Sequence, residues 1–227
     1  TVQLALNKAL STLLREPITT FGSSRTDEGV HANENFFHFD LLRDLPEHFV
    51  YRLNAVLPFE IAINGLYYPS HPDSANSRFD ATWRRYRYCL YTQKNPFLLH
   101  RAYFYPYKIN KEILSETAAL LLGHHDFTSF SKRKTQSKTF FCNIENAKWI
   151  IEDDKFFFEV QANRFLRGMV RGLVGTMLQV GLGRISVSEL KELIEKKDCT
   201  GADFSVPGHG LFLVAVNFPE GYFGDLN

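Results

Sequence analysis

At 227 residues, 44% hydrophobic and 15% aromatic, the chain is long enough to bury one large core or two closely joined subdomains, which excludes a disordered protein. No apolar run nears the roughly 20 residues of a membrane span, and no basic-then-apolar leader is visible, although the chain begins at Thr1 and not Met. A net charge of +1 excludes a global attraction to polyanions, and Cys89, Cys142 and Cys199 are too scattered for a zinc site or disulfide frame, so reduced thiols in a cytoplasmic protein are expected.

In chain order, Val2, Leu6, Leu10, Leu13 and Leu14 recur at helical spacing before Pro17, which predicts an opening amphipathic helix. "ITTFGSS" reads as a short strand that runs into the charged loop "SSRTDEGVHA", residues 23 to 32. "NENFFHFDL" is a second strand, "PEHFVYRLNAVL" a short helix and "EIAINGLYYP" a strand. The turn-rich "SHPDSANS" marks the subdomain boundary, giving expected subdomains over 1–73 and 74–227. The second opens with "TWRRYRYCLY", of strong β composition. Helix "KEILSETAALLLG" follows, then strands near "TFFCNIENAKWII" and "KFFFEVQAN", and a long helix "RFLRGMVRGLVGTMLQVG". Ser186 and Glu189 have capping-box spacing at the start of the next helix, and "LFLVAVNF" closes the chain as a strand. Several neighbouring strands among helices predict an α+β fold with a mostly antiparallel sheet.

Charge is unevenly spread. Four Arg and no acid lie between Arg164 and Arg184, four cations lie in "KRKTQSK" (132–138), and three Arg sit among aromatics in "WRRYR". Such segregation suits a polyanion-binding face on a near-neutral protein, and solvated turns and helix faces fit each single cluster equally well.

Three places have chemistry in them. Asp27 follows Arg25 by two residues, just past a predicted strand, with Gly29 permitting a sharp turn. A nearby cation favours the charged form of a carboxylate, which suits a nucleophile or electrostatic stabiliser and not a general acid; an Asx turn with a surface ion pair explains the same residues. Arg164, Arg167 and Arg171 share one face of a helix expected to begin near Asn163. Cations in its first turns oppose the dipole unless an anion, a phosphate or a carboxylate such as Asp27, offsets them. In strand "RRYRY", Arg85 and Arg87 face one way and Tyr86 and Tyr88 the other, so one face could meet phosphate and the other a base. An ordinary edge strand with Tyr in the core fits as well. His124 and His125 beside Asp126 lack a third ligand at metal spacing and read as a solvated loop, so no metal is expected. His31 and His209 read as structural or turn residues.

Taken in order, "TVQLALNKAL", "SRTDEGVHA", "LNAVLP", "RRYRYCLY", "LLGHHDFTSF", "RFLRGMVRGLVGTML" and "GLFLVAV" resemble the tRNA pseudouridine synthase A family through almost the whole chain. The resemblance implies a cofactor-free isomerase that converts uridine to pseudouridine in the anticodon arm of tRNA, at family positions 38–40. It implies two α/β subdomains sharing one antiparallel sheet with a cleft between them, and a homodimer. It assigns the catalytic carboxylate to Asp27, acting at ribose C1′, at the uracil ring or on a glycal-type intermediate. Tyr86 is then the residue that contacts the base, Arg171 the partner of the carboxylate, and Arg25 the side chain that takes the place of the extruded base. Arg164, Arg167 and Arg85 are the remaining expected RNA contacts. The family pattern opens with a strand and a YDG-like segment ahead of the TVQ-type helix. This chain lacks both, and truncation is the expected explanation. Glu28 stands where a small residue is usual, Ser24 where glycine is, and "SANS" departs from an aromatic-containing pattern. Two other readings stay open on the residues alone: a tRNA-binding or RNA-remodelling protein without catalysis, and a nucleotide- or sugar-handling hydrolase, for which Glu28 is a poor second carboxylate.

Overall fold

The computed structural model of the chain describes residues 1–133 and 137–224, so Lys134 of the expected basic stretch 132–138 lies outside the described residues. Two compact units are present, neither continuous in sequence. One comprises Thr1–Arg25, Asn35–Thr82 and Asn217–Asn227, the other Thr26–Glu34 and Trp83–Val216.

In the first unit, helix α1 (Val2–Leu14) starts where the Thr1 hydroxyl accepts from Leu4 N, and it stops at Arg15 in the left-handed region. Leu6, Leu10 and Leu14 form its apolar stripe. They are buried with Phe49, Leu53 and Leu57 of helix α2 (Phe49–Val56) and the residue after it. Strands β1 (Phe21–Gly22) and β3 (Phe37–His38) make a two-stranded antiparallel ribbon. The strand expected over "EIAINGLYYP" does not form. The Asn54 side chain takes both backbone groups of Ile63, accepting from its N at 2.7 Å and donating to its O at 2.9 Å, which replaces a ladder partner. Ile61, Ile63 and Leu66 still pack on the α1–α2 core, so the apolar positions are used without a sheet.

The second unit is a seven-stranded sheet with the order β2 (His31–Ala32), β9 (Leu211–Asn217), β4 (Trp83–Tyr91), β8 (Lys155–Ala162), β7 (Phe141–Glu152) and β6 (Gly123–Asp126), while β5 (Tyr103–Phe104) pairs with β4. The pairs β4–β8, β7–β8 and β6–β7 are antiparallel, and β2–β9 and β4–β5 are parallel. With the flanking helices this is the expected α+β class. Helices α3 (Lys111–Ala119), α4 (Met169–Gly181) and α5 (Val187–Lys196) pack on one another, with α3 against β7 and α4 against β4. Leu114, Phe127, Phe130, Phe158, Leu173 and Met177 are fully buried in this unit. The capping box of α5 forms as expected, with Ser186 and Glu189 bonded reciprocally. None of the three cysteines is in a disulfide, and burial pushes the Cys89 and Cys142 thiols up to about 11.

Two local expectations change. "GHHD" is not a loop but the edge strand β6, and Asp126 at its end accepts from Thr128 N and Oγ1 and pairs with Lys197 at 3.3 Å. The long Arg helix begins at Met169 and not near Asn163. Asn163 instead prolongs the β-ladder by bonding Asn143, and Gly168 turns the chain at φ +73°.

α4 lies so close to the 203–206 segment that a Cβ on Gly175 would stand 2.1 Å from the Asp203 carbonyl oxygen. Gly175→Ala gains about 1 kcal/mol of helix propensity, yet two backbones must separate to admit it, at about 1–3 kcal/mol. The net expectation is a lower urea midpoint at unchanged slope.

Candidate active site

The loop bearing Asp27 is closed by its own turn and held to the sheet at the end that follows it. Val30 N bonds Asp27 O at 3.2 Å, with Gly29 at φ +77° supplying the required conformation. Beyond it, β2 pairs His31 with Phe212 and Ala32 with Leu213 in β9, and Asn33 N donates to Leu213 O. His31 stacks on Phe212 with centroids 4.6 Å apart and bonds the His100 carbonyl through Nε2 at 2.8 Å, a structural role as expected. Beneath the loop, a Cβ on Gly208 would meet Glu28 O at 2.4 Å, so only glycine lets the two loops approach this closely. His209, in the single 3-10 turn Gly208–Gly210, is held below its usual pKa by burial and by His100.

Arg171, in the first turn of α4, reaches this loop. Its Nη1 lies 3.4 Å from Asp27 Oδ2, its Nε donates to Val206 O at 2.8 Å and its Nη2 to Phe204 O at 3.3 Å. The pair spans 144 positions of sequence, with side-chain exposures of 30% for Asp27 and 16% for Arg171. Among the described residues no other side chain bonds the Asp27 carboxylate, which leaves Oδ1 available to a ligand. The carbonyls of 204 and 206 offset the cost of a cation at a helix N-terminus and fix the plane of the guanidinium.

β4 supplies the aromatic wall. Its burial alternates as expected: Tyr86 and Tyr88 are buried, while Arg85 and Arg87 are exposed. Tyr86 meets Phe165 edge to face at 5.0 Å. Tyr88 donates to Pro207 O at 2.8 Å, and burial, then Tyr103, pushes its phenol far above the ordinary range, so it is a fixed neutral donor beneath the same segment that holds Arg171. On the outer face, Arg85 donates twice to Gln161 Oε1, at 3.0 and 2.8 Å, and Arg87 pairs with Glu159.

The structure thus brings together Asp27 and Arg171 and places Tyr86 on the buried face of β4, against Phe165. Arg85 points away from that face. Arg164 and Arg167 precede α4 and do not form a helical stripe with Arg171; Arg164 is half-buried and Arg167 exposed. The Arg167 carbonyl accepts from Lys132 N, which anchors the turn they occupy. Arg25 is exposed at the end of a stretch of the first unit. Sequence reasoning overlooked the 203–208 segment, whose carbonyls orient Arg171 and Tyr88. Its only sequence signals are Asp203 two residues before Ser205, a side-chain-capped turn, and the Pro207-Gly208 pair.

A family model described as tRNA pseudouridine synthase matches residues 117–219, which include Arg171 and the 203–208 segment. The chain is 43% identical to the tRNA pseudouridine synthase A of Parabacteroides distasonis over 225 residues, 98% of this chain and 88% of that protein. It is 42% identical to the protein of that name from Bacteroides thetaiotaomicron over 228 residues, 99% of this chain and 84% of the relative. The Bacillus subtilis protein of that name is 39% identical over 223 residues, 96% and 90% of the two chains. These matches extend over the stretch that holds Asp27 and Tyr86.

A partly exposed ion pair with a contact as long as 3.4 Å contributes about 1 kcal/mol, whereas stripping two carbonyls of a charged donor costs about 2–4 kcal/mol. Asp27→Ala is therefore expected to leave the urea midpoint nearly unchanged, and Arg171→Ala to lower it clearly.

Proposed function

The chain belongs to the tRNA pseudouridine synthase A family, and on that premise we propose that its isomerisation of uridine in tRNA is carried by Asp27, Arg171 and Tyr86. The observation that supports this most is the Asp27–Arg171 pair, made by two distant segments and held by a guanidinium whose Nε and Nη2 are tied to backbone carbonyls. A carboxylate with one long contact keeps its charge near the reacting centre and keeps an oxygen for the substrate.

The reaction breaks the N1–C1′ bond, turns the uracil and joins C5 to C1′. The proton of C5 then leaves and N1 gains one, so atoms and electrons balance within the substrate and solvent. Asp27 is the group at the sugar or the ring, as attacking oxygen or as counter-charge to an electron-poor C1′. Arg171 aims it. Tyr86, in a buried aromatic setting, stacks on the turned base and relays the C5 proton. The target base has to leave its stack, at a few kcal/mol, and phosphate contacts offset this. Arg164 and Arg167, in the turn ahead of α4, and Arg25, beside the Asp27 loop in sequence, are assigned to the RNA backbone and to the space left by the base. Arg85 is bonded to Gln161 on the opposite face of β4, so it contributes at most an outer contact. The substrate region is the anticodon arm and the working form a homodimer in the cytoplasm. No helix among the described residues is long and apolar enough to cross a membrane.

Unmodified tRNA tritiated at uracil C5 should release tritium to water with the wild type. Asp27→Asn is expected to fall below about a thousandth of that rate while its tRNA Kd stays within about threefold, since phosphates dominate affinity. Equal rates for the two proteins would refute the assignment. Mapping of pseudouridines in tRNA from cells without the gene should show losses confined to the anticodon arm.

A further inference from the structure

The guanidinium of Arg171 is oriented by the carbonyls of Phe204 and Val206, so the placing of Asp27 depends on a short piece of chain that belongs to no helix or strand. Packing does not fix this piece on every side. Asp203, Ser205 and Val206 border a cavity of about 150 Å³, together with Tyr105, Gln179 and Arg184.

Hydrogen bonds to Asp203 hold it instead. Asp203 Oδ1 accepts from Ser205 N at 2.8 Å, closing a turn over Phe204. Oδ2 accepts from Gln179 Nε2 at 2.6 Å, and Gln179 Oε1 in turn accepts from Arg184 Nη1 at 2.9 Å. The Asp203 amide donates to Thr176 Oγ1 at 3.0 Å, whose hydroxyl bonds Gly172 O at 2.7 Å. Gly172, Thr176 and Gln179 share one face of α4, and Gly175 on that face brings the two backbones together. Burial alone would raise the Asp203 carboxyl, but Ser205, Gln179 and Arg184 outweigh it and hold the group below the usual carboxylate range, so it is a permanent acceptor.

We propose that Asp203 is a positioning residue for the isomerisation: it clamps the 203–206 turn to α4, and through the carbonyls of 204 and 206 it sets the plane of Arg171 and hence the aim of Asp27. This rests on the reading of Asp27 and Arg171 given above. Asp203 does not touch the substrate. Its effect passes through Arg171 and reaches kcat without passing through RNA affinity.

The test combines turnover with a direct view of Arg171. Asp203→Ala is expected to lower kcat for tritium release about 10- to 100-fold, the scale of a small misplacement of a reacting group, with KM for tRNA within about twofold. Asp203→Asn keeps an acceptor for Ser205 N and should recover at least about a third of wild-type kcat. The Nε–H resonance of Arg171, assigned by its loss in Arg171→Lys, should exchange with water at least about tenfold faster in Asp203→Ala than in the wild type. Should Asp203→Ala not fold, Gln179→Ala removes the outer strut and is expected to show the same two effects in smaller measure. An unchanged kcat, a change confined to KM, or an unaltered Arg171 resonance in a folded variant overturns the proposal. If the wild type itself releases no tritium, the reading of the active site fails, and the resonance still decides whether Asp203 positions Arg171.

Discussion

Arg171 has five N–H donors in one rigid plane, and three protein groups use them: the carbonyls of 204 and 206 and the carboxylate of Asp27. A cation in the first turn of a helix opposes the helix dipole, so the residue is unfavourable there without acceptors around it. The acceptors come from two segments that the chain has to bring back to α4, one more than 30 residues ahead and one 144 behind. Lysine could supply the charge but not the fork, since a single ammonium cannot satisfy two carbonyls and still face a carboxylate in one plane. The site therefore depends on the approach of backbone to backbone at Gly175, where any side chain on the helix would push the 203–206 turn away.

The Asp27 loop is fixed by a different device. Two residues of parallel pairing with β9 are too few to make an independent strand, yet they set the register of the loop on an existing sheet. Gly29 turns the chain immediately before this pairing, and Gly208 lets the 207–209 loop press against Glu28 from below. The Asp27 carboxylate thus rides on a short loop that is stapled at one end to a strand and at the other to a guanidinium. That combination gives the precision of a sheet with the exposure of a loop.

What could be read from the chain follows from the range of the forces involved. The alternation in "WRRYRYCLY" is local, and the structure keeps it: Tyr86 and Tyr88 inward, Arg85 and Arg87 outward. The capping box at Ser186 and Glu189 is likewise a matter of four residues. Errors arise where a distant partner outbids a local preference. Residues 164–168 have helical composition, but Asn163 pairs with Asn143 and Lys132 takes the Arg167 carbonyl, so the helix cannot start until Gly168 has turned the chain. "EIAINGLYYP" has strand-like alternation, but Asn54 satisfies Ile63 from a helix. "GHHD" looks like a loop because its partner, the long strand β7, follows 15 residues later. The Asp27–Arg171 pair itself leaves no mark of spacing or period: cations expected early in a helix call for an anion, for which Asp27 is one candidate beside phosphate, and the likeness of whole motifs singles it out.

The energetics of the pair bear on why it is there. A carboxylate and a guanidinium 3.4 Å apart, each reached by solvent, add little to folding. Stability would be served as well or better by replacing both with well-packed apolar side chains. What the arrangement preserves is a negative charge with one oxygen uncommitted, beside a cation too firmly held by the protein to collapse onto it. A second hydrogen bond from Arg171 to Asp27 would occupy the other carboxylate oxygen as well. Two of the five N–H groups go to the carbonyls of 204 and 206 and one on Nη1 reaches Asp27 at 3.4 Å, an arrangement that keeps the guanidinium in place and leaves Oδ1 of the carboxylate open.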